Sequence, residues 1–142
     1  MTPERGFRLT ALEPDGLAPG RGYSNAVVAP AGGRLCFVAG QIGWDAAGRL
    51  VGPGLVEQFQ RALANVVAAV RAAGGGPEHL ARLTIYVVDR EEYRAELTAV
   101  GEAYRAVMGH HYPAMALLEV AALLEPGARV EIEGTAVLPP AS

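Results

Sequence analysis

The stretch that decides the fold is 112–137, YPAMALLEVAALLEPGARVEIEGTAV, in which two apolar runs flank a Pro126-Gly127 turn. In the second run, apolar and small residues at even positions alternate with Glu131, Glu133 and Thr135, which predicts a strand over 130–137. The first run alternates in the same way and predicts a strand over 114–120, but neither of its faces is wholly polar. We therefore expect the open face of the sheet to be partly buried by another copy of the chain.

Two amphipathic helices are predicted upstream of these strands. The first ends at Gly74, where glycine can adopt the left-handed conformation that closes a helix. The second begins after Asp89, where Glu92 three residues later resembles a capping box, and it ends at Gly109. The apolar stripe of the first helix is Val56, Phe59, Leu63, Val66, Val67 and Val70, and that of the second is Tyr93, Leu97, Val100, Tyr104 and Val107.

Further strands are predicted from β-branched and apolar runs bounded by glycine and proline. One lies between the helices at 80–88. Two others, at 23–30 and 34–39, are joined by a tight Ala-Gly-Gly turn that favours a hairpin, and a short extended piece follows near 50–51. The order β-β-(β)-α-β-α-β-β places both helices on one face of a sheet. We therefore predict an α+β fold with residues 1–142 as a single domain.

The composition excludes several classes of function. All twelve basic residues are arginines, so no lysine is present to form a Schiff base with pyridoxal phosphate or an aldolase substrate. The net charge of −3 and the absence of a basic cluster argue against binding to nucleic acid. No apolar run approaches the roughly 20 residues of a membrane span. The single cysteine, Cys36, and the lack of a visible signal peptide favour the cytoplasm.

We expect neither a metal nor a cofactor. The histidines His79, His110 and His111 lack the spacing of a known metal site, because adjacent side chains diverge. Cys36 has no histidine or lysine placed to activate it and is expected to be a small buried apolar residue.

Four segments, taken together, resemble the RidA/YjgF family. They occur in the family order over residues 20–138. They are Tyr23, the run Gly40-Gln41-Ile42 after an apolar strand, the run YPAMALLEV at 112–120, and the run VEIE at 130–133.

The resemblance implies a chorismate-mutase-like α+β fold, in which a six-stranded, mostly antiparallel sheet is backed by two helices. It also implies a barrel-like homotrimer with a small-molecule cleft at each subunit interface. Members of the family hydrolyse reactive enamines and imines to a keto acid and ammonia. In those enzymes an arginine binds the substrate carboxylate and a glutamate positions or activates water.

Carried over by position, the resemblance assigns the water-handling glutamate to Glu131. It makes Tyr23 the pocket tyrosine, and Gly40 and Ala114 the small residues of the pocket wall. As a general base, Glu131 needs to lie within hydrogen-bonding distance of a water beside the ligand.

Four positions depart from the family pattern. Met115 stands where the family has its arginine, and Leu117 replaces a common cysteine. Ala39 replaces a serine, and Thr98 stands near the position of an asparagine on the second helix. A thioether cannot form the bidentate contact that a guanidinium makes with a carboxylate. We therefore predict a more apolar ligand site and three open functions: imine or enamine hydrolysis, non-catalytic binding of a small molecule, or another hydrolytic step in a dedicated metabolic pathway.

Overall fold

The computed structural model describes residues 6–141 of the chain. Its helices lie on one face of a four-stranded sheet, and a two-stranded sheet stands beside it. The strands are β1 (Thr10–Leu12), β2 (Ala26–Val28), β3 (Arg34–Ile42), β4 (Leu80–Val87), β5 (Ala114–Glu119) and β6 (Val130–Leu138); the helices are α1 (Leu55–Ala72), α2 (Arg90–Ala95) and α3 (Leu97–Met108).

The larger sheet has the order β3-β6-β4-β5, and its strand directions are mixed. β6 is antiparallel to both β3 and β4, whereas β5 is parallel to β4 because helices α2 and α3 carry the chain back to the same end of the sheet. The α+β class is confirmed. The expectation of one six-stranded sheet is not met within residues 6–141, because β1 and β2 form a separate pair.

The hairpin predicted between 23–30 and 34–39 is wrong in its pairing. β2 covers only Ala26–Val28 and pairs antiparallel with β1, which the sequence pattern did not predict. β3 pairs with β6 and continues through Gly40 to Ile42, beyond the predicted end at Ala39. The strand β6 has the longer apolar alternation, so it gives β3 a longer buried partner than the three-residue β2 can.

The core lies between the sheet and the helices. Most residues of the predicted apolar stripes face it, but Leu97 of the second stripe is 56% exposed. α1 packs on β3 and β6, and α3 packs beside α1. Phe59, Leu63 and Val66 of α1 and Ile132 of β6 are almost completely shielded from solvent. Each fully buried side chain of this size contributes roughly 1.5–3 kcal/mol, so this layer is the main source of stability.

The second predicted helix is broken into two. Asp89 caps α2 as expected, because its carboxylate accepts hydrogen bonds from the backbone N–H groups of Glu91 and Glu92. The capping box is not completed: the Glu92 side chain instead binds the Arg129 guanidinium at 2.6 Å and 3.2 Å. At Glu96 the backbone leaves the helical conformation, with ψ at 15°, and α3 begins one residue later.

Both predicted helix ends at glycine are confirmed. Gly74 follows α1 with φ at +95°, and Gly109 closes α3 with φ at +64°, values that favour glycine over any residue with a Cβ. None of the helices within residues 6–141 has the length and apolar content needed to cross a membrane.

The opposite face of the sheet, called here the open face, carries both polar and large apolar side chains. Phe37 and Leu35 of β3 are 75% and 63% exposed. They lie on the same face as Glu131 and Glu133 of β6 and Tyr86 of β4, since paired residues of neighbouring strands share a face. Contiguous exposed apolar side chains of this kind are typical of a surface that contacts another protein.

Candidate functional site

A groove of about 600 Å³ lies on the helix side of the sheet, beside the edge strand β5. Its walls are loop 20–24, β5 and the α2–α3 segment, and we call it the β5 groove. An outer part of the same surface continues towards Leu117 and Glu119. The apolar lining comes mainly from Phe59, Ile85, Tyr93, Leu97, Val100 and Met115.

Loop 20–24 is held against β5 by Ser24, which is buried although it is polar. Its backbone N–H donates to the carbonyl of Pro113 at 3.1 Å, and its hydroxyl donates to the carbonyl of Tyr112. The loop therefore extends the edge of the sheet by a single bridge to Ala114. Tyr23, one residue earlier, is 39% exposed and lines the groove.

The β5 side chains alternate between the two faces of the sheet. Met115 and Leu117 are in register with the core residues Leu83 and Ile85 of β4, so they face the helix side and the groove. Met115 lines both parts of the groove and Leu117 only its outer part. Ala114 is in register with Arg82, on the open face.

The inner end of the groove is aromatic. The rings of Tyr104 and Tyr112 stack with centroids 5.2 Å apart and planes 8° from parallel. The Tyr104 hydroxyl donates to the carbonyl of His111 at 2.6 Å, and burial, with a smaller contribution from Tyr112, raises the pKa of Tyr104. Burial also raises the pKa of Tyr93. Both phenols therefore stay neutral at physiological pH and add no negative charge to the groove.

Glu131 lies on the open face, beside a bulge in β3. Between Val38 and Gln41 the register of β3 with β6 shifts, and Gly40 lies within this bulge. A Cβ added to Gly40 would lie 2.5 Å from the Oε2 of Glu131, so the backbone of Gly40 packs directly against this carboxylate. Only glycine permits such a close approach.

A second carboxylate on the open face is held by a tyrosine. The Tyr86 hydroxyl donates to the Oε1 of Glu133 at 2.7 Å, and this bond, followed by burial and by the charges of Glu133 and Glu131, raises the pKa of Tyr86. Glu133 is therefore engaged within the chain, whereas Glu131 has no side-chain hydrogen bond to residues 6–141. Of the two glutamates, Glu131 is the one available to bind water or a ligand.

The residues predicted from the sequence thus form two groups. Tyr23, Met115 and Leu117 line the β5 groove, while Gly40 and Glu131 meet on the open face. Thr98 is exposed on α3 and belongs to neither group; its neighbours Leu97 and Gly101 line the groove instead. Within one chain the sheet separates Glu131 from Met115.

Comparisons with known proteins show the family of the chain. The family model described as Endoribonuclease L-PSP matches residues 14–138. The chain belongs to the RidA/YjgF family. A goat (Capra hircus) relative named 2-iminobutanoate/2-iminopropanoate deaminase is 36% identical over 132 residues, covering 92% of this chain and 88% of the relative. The human protein of the same name is 33% identical over the same coverage.

Solved structures of RidA-family proteins show the same fold. A Yersinia pestis protein of the conserved Rid family, described as of unknown function, superposes with a TM-score of 0.82 at 36% identity. The superposition covers 92% of this chain and 99% of that one. A Mycobacterium tuberculosis protein of the YjgF/YER057c/UK114 family superposes with a TM-score of 0.62 at 34% identity, over 82% of this chain and 87% of that one.

Two groove residues were missed by sequence reasoning within this RidA-family chain. Arg21 and Arg105 both line the β5 groove. Arg105 lies four residues after Gly101 and eight after Leu97, which places all three on one face of α3. That spacing was visible in the sequence, but a charged residue on an amphipathic helix is usually read as part of the solvated face.

Two of the three histidines, His79 and His111, form hydrogen bonds within the chain. His79 accepts the backbone N–H of Gly76 at its Nδ1, 3.0 Å away, and the Nε2 of His111 lies 2.7 Å from the carbonyl of Leu80. Cys36 is partly buried and packs against the core, close to the role predicted for it.

Proposed function

We propose that the protein hydrolyses imines or enamines to the corresponding oxo compound and ammonia, in clefts formed between copies of the chain. The observation that carries this proposal is the Glu131 carboxylate on the open face, packed against Gly40 and without a side-chain partner among residues 6–141. Relatives that are 33% to 36% identical over 92% of this chain are named imine deaminases, which supports the same reaction class here.

In the proposed reaction, Glu131 takes a proton from water as the water oxygen bonds to the imine carbon and the C=N electron pair shifts to nitrogen. Glu131 then gives this proton to the nitrogen, forming a carbinolamine. The same carboxylate passes the hydroxyl proton of the carbinolamine to the nitrogen. The C–N bond breaks, ammonia leaves, and the oxo group forms.

A cleft that contains both groups of residues needs a second copy of the chain, because Glu131 and Met115 lie on opposite faces of the sheet. The exposed Phe37 and Leu35 supply an apolar surface for such a contact, and we propose the trimer that the family resemblance implies. Light scattering tests it: Phe37→Asp lowers the mass to that of one chain, whereas Leu124→Asp, at a fully exposed loop position, leaves the assembly intact. A wild-type chain that is monomeric at every concentration would contradict the proposal.

The reaction is tested by ammonia release from 2-iminopropanoate generated in situ. We expect the wild-type chain to exceed the buffer rate and Glu131→Gln to fall close to it, since an amide cannot accept the proton. Met115→Arg is the companion variant, and a gain in rate shows that the rest of the site is competent. Wild-type rates equal to buffer would exclude ordinary deaminase activity on this substrate.

A second candidate function is non-catalytic binding of a small molecule, which the apolar Met115 favours because it removes the family's carboxylate contact. Measuring ligand binding and ammonia release together, in the wild type and in Glu131→Gln, distinguishes the two candidate functions. A binding protein gives saturable ligand binding with no ammonia release, and its affinity is the same in Glu131→Gln as in the wild type.

A further inference from the structure

The β5 groove has an unbalanced charge. Its inner part is lined by two arginines, Arg21 and Arg105, and by no aspartate or glutamate. Among residues 6–141, neither of them takes part in an ion pair. The outer arginines differ, because Arg90 and Arg94 both lie within 4 Å of the Glu91 carboxylate. The inner part of the groove therefore holds two cationic side chains and no carboxylate in its lining, whereas Glu119 lies in the outer part, which Arg21 also lines.

The placement of Arg105 depends on a glycine. A Cβ added to Gly101 would lie 3.3 Å from Nη1 and 4.0 Å from Nη2 of Arg105, so the guanidinium lies over the bare backbone at this position. Both residues line the groove. Arg21 lies on loop 20–24, which Ser24 holds to β5.

The rest of the groove is mainly apolar. Met115, Ile85, Phe59 and Val100 form its apolar lining, and the neutral phenols described above lie at its inner end. A ligand that matches these walls has one anionic end and an apolar body. A guanidinium prefers a planar carboxylate, with which it forms paired hydrogen bonds.

We propose that Arg21 and Arg105 bind the carboxylate of an organic acid with an apolar side chain, in place of the arginine absent at Met115. This inference rests on the proposed function, since it names the substrate class of the same site: imines of 2-oxo acids with branched or aromatic side chains. Met115 then contacts the apolar side chain of the substrate.

The test is isothermal titration calorimetry on the full chain with 4-methyl-2-oxopentanoate and its uncharged methyl ester. We expect the wild type to bind the acid at least tenfold more tightly than the ester. Arg105→Gln and Arg21→Gln each weaken acid binding by about tenfold or more, the usual loss for a charge-assisted contact, and leave ester binding unchanged. Arg71→Gln, exposed near the end of α1, is the matched control and leaves both affinities unchanged.

Several results would overturn the inference: no binding of the acid, equal affinity for acid and ester, acid binding that survives loss of both arginines, or an equal loss in Arg71→Gln. A failure of the proposed function can be distinguished from a failure of this inference. If the wild type releases no ammonia but binds the acid through Arg105, the carboxylate site stands and catalysis does not. If imines are hydrolysed while the acid binds equally well to all arginine variants, catalysis stands and this inference does not.

Discussion

Gly40→Ala is expected to displace the Glu131 carboxylate while leaving the stability of the fold almost unchanged. The added Cβ would lie 2.5 Å from Oε2, 2.9 Å from Cδ and 3.2 Å from Cγ of Glu131. To move from 2.5 Å to the 3.4 Å at which ordinary contact begins, the carboxylate must retreat by about 0.9 Å. All three atoms that must move belong to the flexible side chain of Glu131, and none belongs to the backbone.

We expect this displacement to reduce the rate of imine hydrolysis by about 100-fold, because a shift of about 1 Å in a reacting group costs on that order. Stability should change little. Gly40 is not among the glycines with positive φ, so alanine can adopt its backbone conformation, and the lower entropy of the unfolded chain contributes about 0.4–1 kcal/mol in favour of folding.

The assay pairs ammonia release with urea unfolding at one protein concentration. Gly6→Ala is the matched control, because a Cβ there meets nothing within 4 Å, and Glu131→Gln gives the rate without the carboxylate. Wild-type turnover in Gly40→Ala, with Glu131→Gln inactive, would refute the reasoning about position. A loss of stability above about 2 kcal/mol would show that the backbone yields instead, since surface changes normally stay within about 0.5 kcal/mol.

Two further predictions concern stability. Gln58 is fully buried on α1, where its side chain donates to two loop carbonyls and accepts the backbone N–H of Arg129, so Gln58→Leu should lower the free energy of unfolding by about 3 kcal/mol. Gln60→Leu, at an exposed position of the same helix, should change it by less than about 0.5 kcal/mol. Equal losses for the two variants in urea titrations would contradict this prediction. Because burial raises the pKa of Tyr104, its contribution to stability is complete below pH 10 and declines as pH rises above it, by up to about 1.4 kcal/mol per pH unit. Tyr104→Phe should give a shallower alkaline decline, and identical slopes would show that burial of this phenol is not the cause.

The elements predicted well from the sequence are those in which the pattern of apolar and polar residues identifies the buried face by itself. β6 alternates from Val130 to Ala136, and α1 shows an unbroken stripe at spacings of three and four, so each pattern identifies its buried face without knowledge of the partner. Gly74 and Gly109 mark helix ends for a local reason, the left-handed backbone that glycine allows.

The elements that were missed depend on partners distant in sequence. β1 is three residues long and exposed throughout, so only its pairing with β2 defines it as a strand. The break at Glu96 cannot be read from periodicity, because the stripe continues across it from Tyr93 to Leu97. Glu92 has the spacing of a capping residue, but its carboxylate accepts hydrogen bonds from Arg129, which is 37 residues later in the sequence, instead of capping the helix.

The candidate site also contains residues that could be predicted from the sequence and residues that could not. The contact between Gly40 and Glu131 joins residues 91 positions apart, and only the family resemblance brought them together before the structure did. Arg21 and Arg105 were missed because each looks like an ordinary solvated charge in its own segment. They line the same groove because Ser24 holds loop 20–24 against β5 through hydrogen bonds that have no sequence signature.

Met115 and Glu131 lie on opposite faces of the sheet, which bears on how the proposed reaction would proceed without the family's arginine. The Glu131 carboxylate is carried by β6 beside Gly40 of β3, and β4 lies between β6 and the edge strand β5 that borders the groove. A change at Met115 therefore alters how a ligand is held without moving the carboxylate. If a second copy completes the cleft, as proposed, the anion-binding wall can move from β5 to α3 and loop 20–24 while the bulge at Gly40 continues to position Glu131.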